Sequence, residues 1–362
     1  MNTPDTLEHW LQMLVSQGAA DLFLVAGFAP AIRLNGVVTP VSEAALVGED
    51  IEAALLPILH AQALEHYRSD GSADVSLRRA GLGRFRINLH RERGRAAATI
   101  RALPVSPPVL SDLGLPSQVE QITRLHHGLV LVGGATGSGK TTTVAALVNE
   151  INRRDARHIV TIEDPIEYEH AHQRSVIEQV EIGVDAPDFP TALRAALRQA
   201  PDVIVIGEMR DPETMKIALT AGETGHLVLS TLHTTDVTST VARVADSFPP
   251  ERQPTIRQDL SMALGAVLTQ TLLSRAGGGR VPAAELLMVG YGARQHIRKN
   301  ALQHLHQEIT ITKRSGSITL EESLAQLVHK GSISAEDARS RTSHPEELEG
   351  LLRTSSLDRR AT

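Results

Sequence analysis

The segment Gly134-Ala-Thr-Gly137-Ser-Gly139-Lys140-Thr141 satisfies the pattern G-x-x-x-x-G-K-[ST], and it constrains the chain more than any other stretch. It follows an apolar run, Gly128 to Val132, and precedes a segment that sets Val144, Leu147, Val148 and Ile151 on one helical face. Strand, glycine-rich loop and helix in that order are the context the pattern requires. Backbone N–H groups of such a loop curl around phosphate oxygens at the helix N-terminus. Gly134, Ala135, Thr136, Gly137, Ser138, Gly139, Lys140, Thr141 and Thr142 are therefore the expected phosphate cradle. Lys140 would reach the β- and γ-oxygens, and the Thr141 hydroxyl would complete a magnesium shell.

A loop of this kind belongs at the edge of a parallel sheet. Further buried-strand runs, at His158–Ile162, Val203–Ile206 and Leu227–Thr231, alternate with helical patterns. Alternation of that sort predicts a parallel sheet with helices on its faces. Two of these strands end in acids, Glu163-Asp164-Pro165 and Gly207-Glu208, at the strand ends where open α/β sheets bind ligands. One of Glu163 and Glu208 would deprotonate an attacking water, while the other supports magnesium through its waters. The Gly-Glu pair stands where an Asp is usual. His226 and His233 bracket the fourth strand, and a histidine beside a γ-phosphate can report its presence. His304 and His306 receive no role, and none of the 16 histidines has metal-ligand spacing along the chain.

The first hundred residues follow a different pattern. Leu7, Trp10, Leu11, Leu14 and Val15 share a helical face, and Asp21–Val25 reads as a strand. Ala31–Val38 reads as a hairpin around Asn35-Gly36, then a helical stretch covers about Gly48 to Tyr67. Strands are expected at Ala73–Leu77, Arg84–Leu89 and Ala96–Leu103, a compact α+β unit. Arg84, Arg86, Arg91, Arg93, Arg95 and Arg101 crowd this region, and strand alternation puts Arg84 and Arg86 opposite Phe85. Some of these arginines are placed to stabilise transferred phosphoryl charge. Arg194 and Arg198, spaced i, i+4, form a second pair on one helix face. Prolines 104, 107, 108 and 116 mark a linker. From about Arg294 the pattern is only helical, with Thr319–Glu322 and Ser343–Glu346 reading as capping boxes.

Composition sets exclusions. There is no Cys, which removes disulfides, thiol nucleophiles and Cys-ligated metals. A formal charge of −6 and aromatics at 2% disfavour nucleic-acid binding. The start lacks a basic region followed by an apolar core, so no signal peptide is expected. The uncharged stretch Leu260–Ser274 is interrupted by Gly, Thr and Gln, and it falls short of the ~20 residues a membrane span needs.

Taken together, ADLFLVAG, AIRLNG, GRFRIN (Gly83–Asn88), GATGSGKTTT, TIEDPIEY (Thr161–Tyr168), LRQAPDVIVIGEMRD (Leu197–Asp211) and GHLVLSTLHTTD (Gly225–Asp236) occur in order. The chain in this respect resembles the secretion ATPases of type II secretion and type IV pili, and among them the pilus retraction ATPases of twitching motility. The Gly-Glu pair is itself a trait of that family. The resemblance implies an α/β protein with a PAS-like α+β N-terminal domain and a RecA-like P-loop NTPase domain ending in a helical C-terminal part. The implied division is 1–104, a linker at 105–117, the ATPase domain at 118–290, a helical region at 291–353 and a frayed tail at 354–362. It further implies ATP and Mg2+ as ligands, a homohexamer, and a location at the cytoplasmic face of the bacterial inner membrane. The implied partners are a pilus platform protein there and a second retraction ATPase. Glu163 matches the catalytic glutamate and Glu208 the Walker B acid and magnesium-water contact. Arg86 and Arg101 match arginines that close onto nucleotide, and Arg194 and Arg198 match arginines acting across subunits. His226 and His233 match the His box. The segment Gly292–Lys299 keeps both arginines and Ile297 of a retraction element but loses its final acid. Family members that extend pili carry a tetracysteine zinc module and a longer N-terminal extension, so the lack of Cys points to the retraction branch. The rival expectations are a RecA-like nucleic-acid translocase and the ATPase of a related secretion or competence system.

Overall fold

A computed structural model describes residues 3–34 and 36–358, which form a mixed α/β protein of two compact units. Asn35, one half of the expected turn dipeptide, lies outside the described residues, as do 359–362.

The first unit comprises Met1–Ser106 with two later loops, Asp164–Glu169 and Glu181–Pro187. Its elements are α1 (Thr3–Ser16), β1 (Asp21–Val25), β2 (Ala31–Leu34), β3 (Val37–Pro40), α2 (Gly48–Leu55), α3 (Ala61–Asp70), β4 (Ser72–Arg79), β5 (Gly83–Glu92) and β6 (Arg95–Leu103). The strands make one antiparallel sheet in the order β3-β2-β1-β6-β5-β4. Phe85, Ile87 and Leu89 alternate inward from β5 and pack with Leu11, Leu14, Ile51, Leu55 and Tyr67 of the helices. The single helix expected over Gly48–Tyr67 is instead two. Pro57 lies in a short 3-10 turn after α2, and the His60 side chain then accepts from Ala63 N–H to cap α3.

The second unit holds β7 (Gly128–Gly133), α4 (Lys140–Arg154), β8 (His158–Glu163), β9 (Val176–Glu181), α5 (Phe189–Ala196), β10 (Val203–Ile206), α6 (Pro212–Glu223), β11 (Leu227–Leu232) and α7 (Val237–Asp246). It continues with α8 (Gln253–Ala263), β12 (Leu264–Ser274), β13 (Arg280–Met288), α9 (Tyr291–Arg298), α10 (Leu305–Ile311), α11 (Leu320–His329), α12 (Ala335–Arg339) and α13 (Pro345–Asp358). Its sheet runs β13-β12-β7-β11-β10-β8-β9. The strands from β12 to β8 pair in parallel, whereas β13 is antiparallel to β12. Sequence periodicity marks four of these seven strands and misses β9, β12 and β13. Val130 and Val132 face α4 through Val144, Leu147 and Val148. Leu129 turns to the other face, against Gly222 of α6. No helix among the described residues is long and apolar enough to cross a membrane.

Residues 110–113 and 117–124 form 3-10 turns, and Val119 and Ile122 are buried in the second core. The latter part of the proline-marked segment is thus built into the second unit. Thr319 and Glu322 form the expected capping box of α11. At Ser343 the expectation differs from the structure. The N–H groups of Ser343 and His344 go to Glu321 Oε1 at 3.3 and 3.2 Å, so a carboxylate from α11 prepares the start of α13. That helix continues to Asp358, past the Thr354 at which the frayed tail was expected.

Candidate functional site: a glycine-rich phosphate loop and its flanking acids

Parallel pairing brings the C-terminal ends of β7, β11, β10 and β8 to one edge of the sheet, with Leu232 opposite Gly133 and Ile206 opposite Ile162. The glycine-rich loop leaves β7 there and ends on α4, whose N-cap is Gly139 at φ +90°. Gly134 sits at φ +155°, and a Cβ at that position would meet the Gln270 carbonyl oxygen at 2.7 Å. Both positions therefore need glycine for different reasons, backbone conformation at Gly139 and close approach as well at Gly134.

Gln270 of β12 locks the loop to the sheet. Its Nε2 donates to the Ser138 carbonyl at 2.7 Å, and its Oε1 accepts from Thr143 Oγ1 at 2.8 Å. Nothing in the sequence reading assigned it a role. A polar residue inside the apolar run Leu264–Ser274 was the available signal, because a buried amide is kept only where it is hydrogen-bonded.

Lys140 is buried, and its Nζ donates to the carbonyls of Gly134 and Ala135 at 2.8 and 3.0 Å. Burial lowers its pKa from the ordinary value, and the attraction of Glu208 works against that shift. The same Nζ lies 3.4 Å from His233 Nδ1, and Thr136 Oγ1 is 3.4 Å from that nitrogen too. An ammonium only donates, so Nδ1 accepts and Nε2 carries the proton. Nε2 lies 3.4 Å from Glu208 Oε1, and Glu208 Oε2 accepts from Arg210 at 2.8 Å. Burial would raise the Glu208 pKa, but the Arg210 hydrogen bond and charge, followed by His233, hold it below its usual value. Lys140, His233, Glu208 and Arg210 thus form one polar chain along the strand ends.

Glu163 terminates β8 beside β10. Thr161 Oγ1 donates to its Oε1 at 2.7 Å, and Gln179 Nε2 is 3.3 Å from the same oxygen. These contacts fix the carboxylate at the sheet edge that carries the loop.

The remaining expected residues lie elsewhere. His226 precedes β11, next to the β7 start at Gly128, with Nδ1 3.1 Å from the Ala221 carbonyl. At about 3.3 Å per residue it is roughly 20 Å from the loop edge, so within this chain it is not part of the phosphate site. The motif brackets the strand, and a strand's two ends point to opposite edges of the sheet. Arg194 pairs with Glu213 at 2.6 Å on an exposed surface. Arg198 follows the end of α5 and donates to the Arg194 carbonyl, so the two share a helix terminus rather than one helix face.

Arg86 and Arg101 belong to the first unit. They stand opposite each other on β5 and β6, in a row that runs Arg33, Asp21, Arg101, Arg86, Ser76 across five strands. Asp21 is buried and takes Arg33 at 3.1 Å and Arg101 at 2.7 Å. The hydrogen bond to Asp21 raises the Arg101 pKa further. Arg86 pairs with Asp74 at 3.4 Å. Arg84 is more buried than Arg86 or Arg101 and lies 3.0 Å from Glu169 within the same unit.

The sequence profile of the type II/IV secretion system protein family matches residues 98–349. The type IV pilus retraction ATPase PilT of Pseudomonas aeruginosa is 39% identical over 93% of this chain and 98% of that protein. The type IV pilus ATPase PilU of the same organism is 35% identical over 96% of this chain and 92% of its own length. A crystal structure of the pilus retraction motor PilT with bound ADP superimposes with a TM-score of 0.85 and 40% identity, covering 94% of this chain and 98% of that one.

Proposed function

The chain belongs to the type II/IV secretion system protein family, and from that premise we propose that it is a MgATP hydrolase powering type IV pilus retraction. The observation that carries this reading is the chain Lys140–His233–Glu208–Arg210, set along the strand ends beside a complete phosphate loop.

In this reading the N–H groups from Gly137 to Thr142 and the Lys140 ammonium hold the β- and γ-phosphates. The carbonyls of Gly134 and Ala135 then give up the ammonium protons to phosphate oxygens, which bear more charge and attract them more strongly. Glu163, oriented by Thr161 and Gln179, takes the proton of the attacking water and leaves a hydroxide in line with the γ-phosphorus. Thr141 and, through water, Glu208 fit a Mg2+ ion, which would neutralise charge on the bridging and leaving oxygens. His233, within reach of both Lys140 and Glu208, registers whether the γ-phosphate is present.

The first unit corresponds to a PAS-like domain. The second corresponds to a RecA-like domain with a helical C-terminal region, divided at residues 1–104, 118–290 and 291–353. Support comes from an antiparallel sheet backed by helices in one and a parallel sheet core in the other. Six copies assemble as a ring. Arg86 and Arg101 bring positive charge to phosphate oxygens, and Arg194 and Arg198 complete a neighbouring copy's site. The ring works at the cytoplasmic face of the bacterial inner membrane on a pilus platform protein, together with a second retraction ATPase. Loss of γ-phosphate contacts gives each interface two discrete states, the basis of a stroke.

Lys140→Ala and Glu208→Gln should each lower kcat for ATP hydrolysis by at least ~100-fold. Wild-type-like turnover in either variant refutes the site. A strain deleted for this gene should over-accumulate surface pili and lose twitching, and unchanged piliation with normal twitching refutes the cellular role.

A further inference from the structure

Four ionisable side chains from four separate elements converge in the C-terminal part of the second unit. His306 on α10 places Nε2 2.9 Å from Glu347 Oε2 on α13 and Nδ1 3.9 Å from Glu285 Oε1 on β13. Glu321, in the first turn of α11, is 1% exposed. Ligand atoms of His306, Glu321 and Glu347 all lie within 4.8 Å of one another.

Two observations set this group apart from an ordinary ion pair. Glu321 Oε1 is fully engaged by Thr342 Oγ1 and the N–H groups of Ser343 and His344. Its Oε2 is buried and has no hydrogen-bond partner among the described residues. A carboxylate oxygen taken from water and left unpaired is costly unless a cation sits against it. The charge balance points the same way. Three carboxylates meet here, and His306 forms ion pairs with two of them. Even a charged imidazole leaves the cluster negative.

The surroundings have what a ligand set needs. Thr319 Oγ1 donates to Glu347 Oε1 at 2.9 Å and fixes that carboxylate. Glu285, itself held by the Val237 N–H at 3.0 Å, faces His306 Nδ1, while Nε2 lies 2.9 Å from Glu347 Oε2. A carboxylate behind the far nitrogen is the usual support of a metal-binding imidazole. The His344 ring stacks on His306 at 3.8 Å and covers one face.

We propose that His306 Nε2, Glu347 Oε2 and Glu321 Oε2 bind a divalent transition ion. One imidazole nitrogen with two carboxylate oxygens suits Zn2+, and a water fills the fourth position. With bonds of about 2.1 Å, tetrahedral ligand atoms stand about 3.4 Å apart, within reach by small rotamer shifts. The ion displaces the proton shared between Nε2 and Glu347, which leaves to solvent. Bound there, it ties α13 to α10 and α11.

The test uses the full-length protein, stripped with EDTA and free of nucleotide. CoCl2 titration should give a visible absorption band that saturates at one ion per chain and is displaced by ZnCl2. ZnCl2 should raise Tm, whereas a tenfold excess of MgCl2, an ion that prefers octahedral oxygen ligands, should not. His306→Gln should weaken Co2+ binding at least ~10-fold and abolish the Zn2+ effect on Tm. Because Glu321 also prepares the start of α13, His306→Gln is the primary variant, and Glu347→Gln repeats the measurement from a second ligand. No saturable binding overturns the proposal. Equal affinity in both variants also overturns it, since the ion would then sit at another site.

Discussion

Replacing Gln270 by Ala removes the hydrogen bonds that tie Ser138 and Thr143 to β12 and leaves both partners unsatisfied in a buried setting. We expect a loss of about 2 kcal/mol in chemical denaturation and a several-fold higher KM for ATP, because the loop then pays its own ordering cost on binding. An unchanged KM would show that the loop holds its shape without the amide. His170 gives a pH-dependent prediction. Burial lowers its pKa from 6.5 to about 4, and its Nδ1 is buried without a hydrogen-bond partner among the described residues. The unfolded chain therefore binds a proton that the folded chain refuses. Above about pH 6.5 this costs little, and stability falls by about 3 kcal/mol as pH drops from 6.5 toward 4. His170→Asn should flatten that limb of the stability profile, and an unaltered limb assigns acid sensitivity elsewhere. At this scale the phosphate loop was legible because all its parts are neighbours in sequence. Gln270, more than a hundred residues further on, was not.

Among elements, the row across the first sheet makes Asp21 the carboxylate shared by β1, β2 and β6. Both arginines are substantially exposed, which screens the pairs, so Asp21→Ala should cost only about 1–2 kcal/mol by thermal melting. A loss below 0.5 kcal/mol, within the ~±0.5 kcal/mol of an ordinary surface substitution, would mean that the pairs are idle. Strands with turn signals and alternation, such as β5, could be read before the structure. The strand β12 could not, since a mostly apolar run largely buried on both faces has no period to distinguish strand from helix. The reverse error at Gly48–Tyr67 has a local cause, because Pro57 interrupts a pattern that otherwise continues on one face.

For the whole molecule, the proposed ring predicts a hexameric species by light scattering in MgATP, and a strictly monomeric protein under those conditions would overturn it. Hydrolysis should be unaffected by single-stranded DNA at low salt, since an acidic, aromatic-poor chain offers neither charge nor stacking surface. Stimulation by DNA would favour a translocase instead.

By itself the sequence determined the phosphate loop, the acids after two parallel strands and the family, because each depends on residues close together along the chain. The tertiary structure alone decided which end of β11 meets the loop, and so separated His233 from His226. It also assembled His306, Glu321 and Glu347 from helices with no regular spacing between them. Local motifs are written in chain order, whereas a convergent cluster exists only once packing has set the helices side by side.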